Sequence, residues 1–446
     1  MQAIYGKGAG AGGVGGETMR FLFYTLGCRT NQFETAAMEA ALRSRGHEIV
    51  SEDPDVVVVN GCAVTGESER KSRQAARRLL KNWPGAKLAV CGCWPQAAPG
   101  EAQDTGASLV GGSGGRLAFV EQLEALGAGK ETEPVVLQDQ PLQRRDFEVL
   151  APARPEGRTR AYLKVEDGCV NFCTYCIIPF LRGRVRSMPL EEAGAQAFAL
   201  AAAGDVKELT LTGIELASYE YGLADLVETV ARAAPGLRIR LGSLEPRAAD
   251  EDFCRRLSRI GNLCPHFHLS LQSGCDATLL RMGRKYDTAR FLESVRLLRE
   301  YFPGCALTAD LITGFPGETE EEFAATLAFL EECRFSRVHV FPYSERKGTK
   351  AALMAGSVPK ALREERARKS IAAAAVHERA FLEDQVGKVT EVLFESRMGH
   401  TPNYCETELL PGLEGRVATV RVTGVRGGRL TVEEVKKSGE AVDKRE

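Results

Sequence analysis

The chain has 446 residues, 26% of them charged, and a formal net charge of −2, so no global positive field draws in nucleic acid and any such partner must be held by local basic patches. That length gives two to four domains with ample core. No window reaches the roughly eighteen consecutive apolar residues of a membrane span, no apolar leader opens the chain, and 13 Cys without a regular framework fit reduced, partly metal-bound thiols in a cytoplasmic protein rather than a disulfide scaffold.

Residues 1–18 are Gly-rich with almost nothing to bury and read as a disordered tail, with Met19 as an alternative start. Strand-like runs over 20–26, 55–59 and 87–90 then alternate with helical patterns over 31–45 and 67–81, which predicts a parallel sheet covered by helices. The first helix is expected to bury Phe33, Ala37, Ala40 and Ala41. Each strand runs into a thiol: Cys28, Cys62, and Cys91 or Cys93. Carboxyl ends of such strands share one edge, where ligands bind. Three thiols distant in sequence would meet there and could hold three irons of a [4Fe–4S] cube, leaving the fourth iron open. Taken singly, each is an ordinary buried strand-end residue. Arg70, Lys71, Arg73, Arg77, Arg78 and Lys81 share the second helix, as a solvated face or an RNA-phosphate patch.

Pro134, Pro141, Pro152 and Pro155 lie among charged residues over 134–159 that read as a connector, with the linker between domains at 136–158. Beyond it, runs over 161–165, 208–211, 238–241, 266–271, 306–312 and 337–341 alternate with helices over 190–203, 222–234, 287–301 and 318–333. Six βα repeats fit a partial, open barrel, whose active groups gather at the strand carboxyl ends. That rule selects Thr212, Gly213, Ser243, Glu245, Gln272 and Asp310, and a buried Asp310 needs a partner. His266 and His268 flank Phe267 and point one way, toward the lumen or the helices, at least one of them as a satisfied core histidine. Arg182, Arg184 and Arg186 alternate as a charged surface strand or a fork of donors for phosphate or carboxylate. Cys254, Cys264, Cys275, Cys305, Cys333 and Cys405 are ordinary thiols.

The loop after the first barrel strand carries Cys169, Cys173 and Cys176 within eight residues. Three thiolates so close can wrap one face of a [4Fe–4S] cluster. A zinc site would want a fourth ligand, and no His follows. A charged helix over 359–382 leads to a last module of period two, with Val389, Glu391 and Leu393, then Ala418, Val420 and Val422, then Leu430 and Val432. This predicts a small β-barrel, with RNA contact resting on Arg421, Arg426 and Arg429.

The spacing C-x3-C-x2-C with Tyr175 before the last thiol resembles the radical S-adenosylmethionine (SAM) enzymes. In that family the free iron chelates SAM and an electron splits it to a 5′-deoxyadenosyl radical. The texts Thr25-Leu26-Gly27-Cys28-Arg29-Thr30-Asn31, Asn60-Gly61-Cys62-Ala63 and Gly92-Cys93-Trp94-Pro95 are similar to the methylthiotransferase family, which usually has Thr where this chain has Gly61. The resemblance implies a methylthiotransferase domain over 19–135 with an auxiliary [4Fe–4S] cluster on Cys28, Cys62 and Cys93, a (βα)6 core over 159–384 with its cluster on Cys169, Cys173 and Cys176, and a TRAM-like barrel over 385–446. It implies SAM contacts at Tyr175, Thr212, Gly213, Ser243, Glu245, Gln272, Arg284 and Asp310, and a Gly314-Phe315-Pro316-Gly317-Glu318 turn whose glycines admit the adenine half of the cofactor. Cys176-Ile177-Ile178-Pro179 and His339-Val340-Phe341-Pro342-Tyr343-Ser344 look most like the threonylcarbamoyladenosine tRNA subgroup. That subgroup installs a methylthio group on C2 of the modified adenosine beside the anticodon. Isopentenyladenosine in tRNA and a ribosomal-protein aspartate are the alternative substrates, and a non-catalytic, metal-containing RNA-binding protein is the alternative class. The implied partners are tRNA and an electron donor of the flavodoxin or ferredoxin type, with the sulfur source open.

Overall fold

Val56, Val57, Val58 and Val59 are all fully buried, as a β-branched run must be when helices cover both faces of a parallel sheet. They belong to a computed structural model that describes residues 18–129, 133–153 and 158–435. Residues 1–17 of the expected tail over 1–18, and residues 154–157 of the connector, lie outside the described residues. The chain divides into two compact bodies, one holding the residues through Leu26 with Met38–Ala63 and Ser68–Asp139, the other holding Gly27–Ala37, Val64–Glu67 and the chain from Gln140 onward.

The first body is a six-stranded parallel sheet of β1 (Arg20–Thr25), β2 (Glu48–Ile49), β3 (Val56–Gly61), β4 (Lys87–Gly92), β5 (Leu109–Gly111) and β6 (Val135–Leu137), in the order β2-β1-β3-β4-β5-β6. The sequence pattern found three of these strands. The other three are only two or three residues long, too short for an apolar period to register. β6 pairs with β5 through Leu109 and Val135, so the stretch expected as connector begins inside the sheet. The core of this body joins Phe21, Met38, Val58, Leu109 and Phe119. Cys91 sits in that same cluster, fully buried.

The second body contains β7 (Arg160–Lys164), β8 (Glu166–Asp167), β9 (Arg186–Ser187), β10 (Glu208–Thr212), β11 (Arg238–Leu241), β12 (Ser243–Leu244), β13 (His266–Gln272), β14 (Ala306–Thr313) and β15 (Arg337–Pro342). Two parallel sheets, β11-β10-β7 and β12-β13-β14-β15, are continuous through Gly242 between β11 and β12 and through a parallel bridge from Ile239 to Leu263. Six strand positions therefore make the open barrel that the sequence predicts, with the helices Leu190–Ala202, Leu223–Ala233, Thr288–Tyr301 and Glu320–Cys333 outside it. Thr319 and Glu322 start the last of these with a capping box. Alternation on β13 turns Phe267 outward into the apolar core and His266 and His268 inward.

The 24-residue helix Lys360–Glu383 leads to a closed barrel of β16 (Val389–Phe394), β17 (Gly399–His400), β18 (Glu406–Thr407), β19 (Val417–Arg426) and β20 (Arg429–Glu434). Val420, Val422, Leu430 and Val432 fill it as expected, but in β16 the inward residues are Val392 and Phe394. Val389 is 49% exposed. Of the expected face through Val389, Glu391 and Leu393 only Leu393 is buried, and the barrel core takes the alternate residues, because the expected face would have buried the Glu391 charge.

Three further expectations change. Ala40 and Ala41 are only half-buried. Arg182 and Arg186 are buried, neither a surface strand nor free donors for a phosphate, and only Arg184 is exposed. At the Gly314 turn, a Cβ on Gly314 (φ +69°) would lie 2.3 Å from Arg363 Cγ. That glycine admits the chain's own helix Lys360–Glu383, and the expected approach of a cofactor is already occupied there.

Candidate functional site

In the first body, Cys62 and Cys93 directly follow β3 and β4, whose last residues, Gly61 and Gly92, are paired across the sheet. The Ser72 hydroxyl accepts from the Cys62 N–H at 3.0 Å, with its own proton shared between Ser68 O at 2.9 Å and Cys62 O at 3.2 Å, so a helix side chain anchors the Cys62 backbone. Gly92 has φ +103°, and a Cβ there would meet Asn60 Oδ1 at 2.4 Å, a backbone that only glycine tolerates. A Cβ on Gly61 would stand 3.0 Å from Trp94. The departure from the usual Thr thus leaves room for a buried indole. Between the two alternatives for the third thiol, Cys91 points into the apolar core and Cys93 opens the helix Cys93–Ala97 at the strand end.

Cys28 precedes the helix Arg29–Ser44 and belongs to the second body. There it lines a cavity of about 320 Å³ in the barrel lumen together with Thr212, Gly213, Ser243 and Asp310. The structure thus brings one predicted thiol of the strand-end set and four predicted SAM-side residues onto one space.

The Cys169–Cys176 loop is fixed by its backbone. The Cys169 N–H donates to Gly183 O at 3.0 Å, Thr174 N–H to Met282 O at 2.9 Å, and Cys176 N–H to Cys173 O at 2.9 Å. Two donors reach its sulfurs: Asn171 N–H to Cys169 Sγ at 3.5 Å and Arg284 Nη1 to Cys173 Sγ at 3.1 Å. Donors of this kind favour thiolates over thiols. Burial acts the other way and pushes Cys169 up to about 12, so a bound cation is what would draw its proton off. Among the described residues no three Cys, His, Asp or Glu side chains converge as a single ion's ligands would. The spacing of the trio and its donors therefore carry the metal reading.

Arg284 also donates from Nε to the Tyr286 hydroxyl at 3.1 Å, and Tyr175 packs edge-on to Phe315 with ring centres 6.4 Å apart. Glu245 faces a second cavity of about 240 Å³ with Asn171 and Glu215 and is clamped by Arg247 Nε at 2.8 and 3.1 Å. Gln272 sits in the left-handed region (φ +65°) at the register shift of β13.

Two features escaped sequence reasoning. Glu166, fully buried, accepts from the N–H groups of Ile214 and Glu215, both at 2.7 Å. A Cβ on Gly213 would lie 2.6 Å from that carboxyl. The Thr212-Gly213 turn is thereby closed around an internal acceptor. Burial, opposed by those N–H groups, holds the Glu166 carboxyl well above its ordinary value. Burial and the neighbouring Glu245 raise Glu215 to about 7, with Arg284 opposing.

The second feature is a buried ion network. Arg182 donates to Glu34 Oε1 at 2.7 Å, to Asn31 Oδ1 at 2.7 Å and to Asp167 at 3.3 Å, and Lys164 Nζ reaches Glu34 at 3.0 Å and Asp167 at 3.1 Å. Burial opposes the Lys164 charge, yet Asp167 and Glu34 hold its pKa above the ordinary value. This network ties the Cys28 segment to the strand that enters the Cys169 loop. Its links to Glu34 and Asn31 span 130 to 151 residues, so no local pattern could announce them.

Inside the lumen, Thr308 Oγ1 joins His266 Nε2 at 3.1 Å and His268 Nδ1 at 2.9 Å, and His268 Nε2 meets Asp310 at 3.1 Å. Asp310 therefore has the partner that its burial demanded. Burial, with the charge of Arg240 and the nearby His268 and Arg29, drives His266 well below its ordinary value, so this ring is neutral. On the outer surface of the last barrel Arg421, Arg426 and Arg429 each face a carboxylate, Glu433 at 3.9 Å, Glu408 at 3.5 Å and Glu406 at 3.3 Å. Among the described residues no helix is long and apolar enough to cross a membrane.

Comparison with known proteins adds the following. A profile described as "Radical SAM superfamily" matches residues 163–330, and one described as "Uncharacterized protein family UPF0004" matches residues 20–111. The threonylcarbamoyladenosine tRNA methylthiotransferase MtaB of Bacillus subtilis is 35% identical over 90% of this chain and 93% of its own length. Its namesake in Thermotoga maritima is 37% identical over 77% of this chain and 79% of its own length. The tRNA-2-methylthio-N(6)-dimethylallyladenosine synthase of Bacillus subtilis is 31% identical over 96% of this chain and 87% of its own. Among solved structures, the radical S-adenosylmethionine methyltransferase TsrM of Kitasatospora setae shares the fold with a TM-score of 0.56 at 17% identity, over 75% of this chain and 77% of that one.

Proposed function

Because this chain belongs to the radical SAM methylthiotransferase family, we propose that it methylthiolates C2 of N6-threonylcarbamoyladenosine in tRNA, with S-adenosylmethionine and iron–sulfur clusters as cofactors. The finer assignment is two [4Fe–4S] clusters, one on Cys169, Cys173 and Cys176, the other on Cys28, Cys62 and Cys93. When bound, the first cluster and SAM supply an electron and a carbon radical, and the second supplies sulfur. A radical is needed because an adenine C2–H is unactivated toward polar attack.

The chain's own part is position and exclusion of water. Arg284 donates to the Cys173 sulfur and the Asn171 N–H to the Cys169 sulfur, which orients both for a cluster. Glu166 holds the turn after Thr212-Gly213 through the N–H groups of Ile214 and Glu215. The Lys164/Arg182 network sets the Cys28 segment against the radical-cluster loop. SAM contacts are assigned to Tyr175, Thr212, Gly213, Ser243, Glu245, Gln272, Arg284 and Asp310, and the reductant to a flavodoxin- or ferredoxin-type donor.

The observation that carries this reading is the shared lumen, where Cys28 and the SAM-side residues Thr212, Gly213, Ser243 and Asp310 face one cavity. It is tested by anaerobic reconstitution with reductant, SAM and defined tRNAs, followed by mass spectrometry of the nucleosides. A methylthio group gained on threonylcarbamoyladenosine supports it, and one gained on isopentenyladenosine alone sinks it. Replacing Cys28, Cys62 or Cys93 by Ala should lower both bound iron and product. Unchanged values of both would refute the auxiliary site.

A further inference from the structure

Among the described residues, the lumen holds a positive charge that no carboxylate meets. Arg29 lines the cavity and is close enough for its charge to depress the protonation of His266, yet among the described residues its guanidinium has no carboxylate, hydroxyl or carbonyl partner. The other arginine on this wall, Arg337, is already taken by Glu378 at 3.0 Å and Glu406 at 3.1 Å. Asp310 is the only carboxylate among the described lining residues, and it accepts from His268. The remaining side chains around Arg29 are mostly neutral donors and acceptors, His266 among them. A half-enclosed, unpaired guanidinium is a costly feature unless something anionic meets it during function.

We propose that Arg29 receives the free carboxylate of the threonylcarbamoyl group and so selects this substrate over adenosines whose N6 substituent is uncharged. The inference rests on the functional reading above and adds to it the residue that discriminates. The chemistry fits in three respects. A threonylcarbamoyl group ends in a carboxylate and carries a hydroxyl, whereas an isopentenyl group is wholly apolar. A guanidinium offers two parallel N–H donors to the two carboxylate oxygens, which an ammonium cannot match. Arg29 also opens the helix Arg29–Ser44, so its backbone is fixed and the ordering left to be done on binding is confined to one side chain. Asp310, paired with His268, disfavours a second carboxylate beside it and so narrows where the substituent's charge can lie.

The test uses the full-length, anaerobically reconstituted protein and three anticodon stem-loops. One carries threonylcarbamoyladenosine, one carries its carboxamide with the charge removed and the shape kept, and one carries isopentenyladenosine. In the wild type the carboxylate form should bind about tenfold or more tighter than the carboxamide. Arg29→Gln should bring that ratio close to one, and Arg29→Lys should keep part of it. Bound iron and melting temperature report whether each variant is folded. A wild-type ratio near one overturns the proposal without any variant. So does an Arg29→Gln protein that keeps the full ratio, or that loses affinity for all three stem-loops equally, as a phosphate contact would. If the wild type instead modifies only the isopentenyl stem-loop, the functional reading fails first, and the product assay separates that outcome from a failure of the Arg29 assignment.

Discussion

Glu215 is a carboxyl placed where its charge is unwelcome. It is buried beside Glu245, and its pKa rises from the ordinary 4.5 to about 7. In the metal-free protein the folded state therefore binds this proton more tightly than the unfolded chain does. The stabilising contribution is complete below about pH 4.5 and is lost as pH rises toward 7. The distance from 4.5 to about 7, at about 1.4 kcal/mol per pH unit, bounds that loss at about 3 kcal/mol. Glu215→Gln should remove this slope, so that denaturant melts of variant and wild type from pH 4.5 to 7 diverge with the variant gaining as pH rises. Parallel curves would mean that Glu215 titrates normally. Glu166 is governed by the same burial but works as an acceptor for two N–H groups. Glu166→Ala should destabilise by about 1–3 kcal/mol through the orphaned donors, measured by the same melts, while Glu166→Gln keeps an acceptor and should recover most of it. Neither glutamate was legible in the sequence, because Glu166 acts through a turn 48 residues away. The six thiols proposed as cluster ligands stand out in the sequence, since three share a short loop and the others follow strands. What the spacing left open, Cys91 against Cys93, needed the direction in which the Cys91 side chain packs.

At the scale of elements, the strands of the open barrel were readable within one residue at almost every end because each is a separate apolar run bounded by a helix. Where a run shrinks to two residues, as at Glu48–Ile49, or to three, as at Val135–Leu137, nothing in the local pattern distinguishes strand from loop. The arginines after the cluster loop show the opposite failure. Their alternation was plain, yet alternation of charge means a solvated strand only if the partners are water. Here the partners are Glu34 and Asp167, brought in by other elements. That network makes a specific demand on stability. Arg182→Met removes a fully buried cation and leaves Glu34 and Asp167 facing Lys164 and Arg186 alone, an imbalance expected to destabilise by about 3–5 kcal/mol. Pairing it with Glu34→Gln should restore a large part of the loss. Urea unfolding of the two single variants and the double variant measures the coupling, and strict additivity would show that the two side chains do not act together.

The second body as a whole is closed at the amino-terminal end of its barrel strands by a residue from the last module. Tyr404, held in the left-handed region at φ +65°, stacks on His266 with ring centres 4.7 Å apart and lies under Arg240 at 4.6 Å. Around it Arg238 and Arg240 share Glu208 at 2.7 to 3.0 Å and donate onward to the carbonyls of His400 and Pro402 at 3.2 and 3.0 Å. Burial opposes the Glu208 charge, but these arginines hold its carboxyl well below the usual range. Sequence reading identified the last module by its strands and assigned it to RNA. It could not see this role, because Tyr404 lies in a turn without periodicity and Glu208, Arg238 and Arg240 are charges within strands whose partners come from elsewhere in the chain. If the module were only an RNA-binding appendage, removing residues 385–446 would lower tRNA affinity and leave the remainder intact. The geometry gives a different expectation: truncation uncovers His266, strips Arg238 and Arg240 of two carbonyl acceptors and opens the lumen from below. The shortened chain should therefore melt at lower temperature. It should also lose most of its reductive SAM cleavage in the absence of any tRNA, since the lumen that must exclude water is no longer sealed. Full-length Tyr404→Ala should show a weaker form of the same loss with the RNA-facing surface of the module untouched. Cleavage without tRNA that is unchanged in both proteins would assign the module to RNA alone.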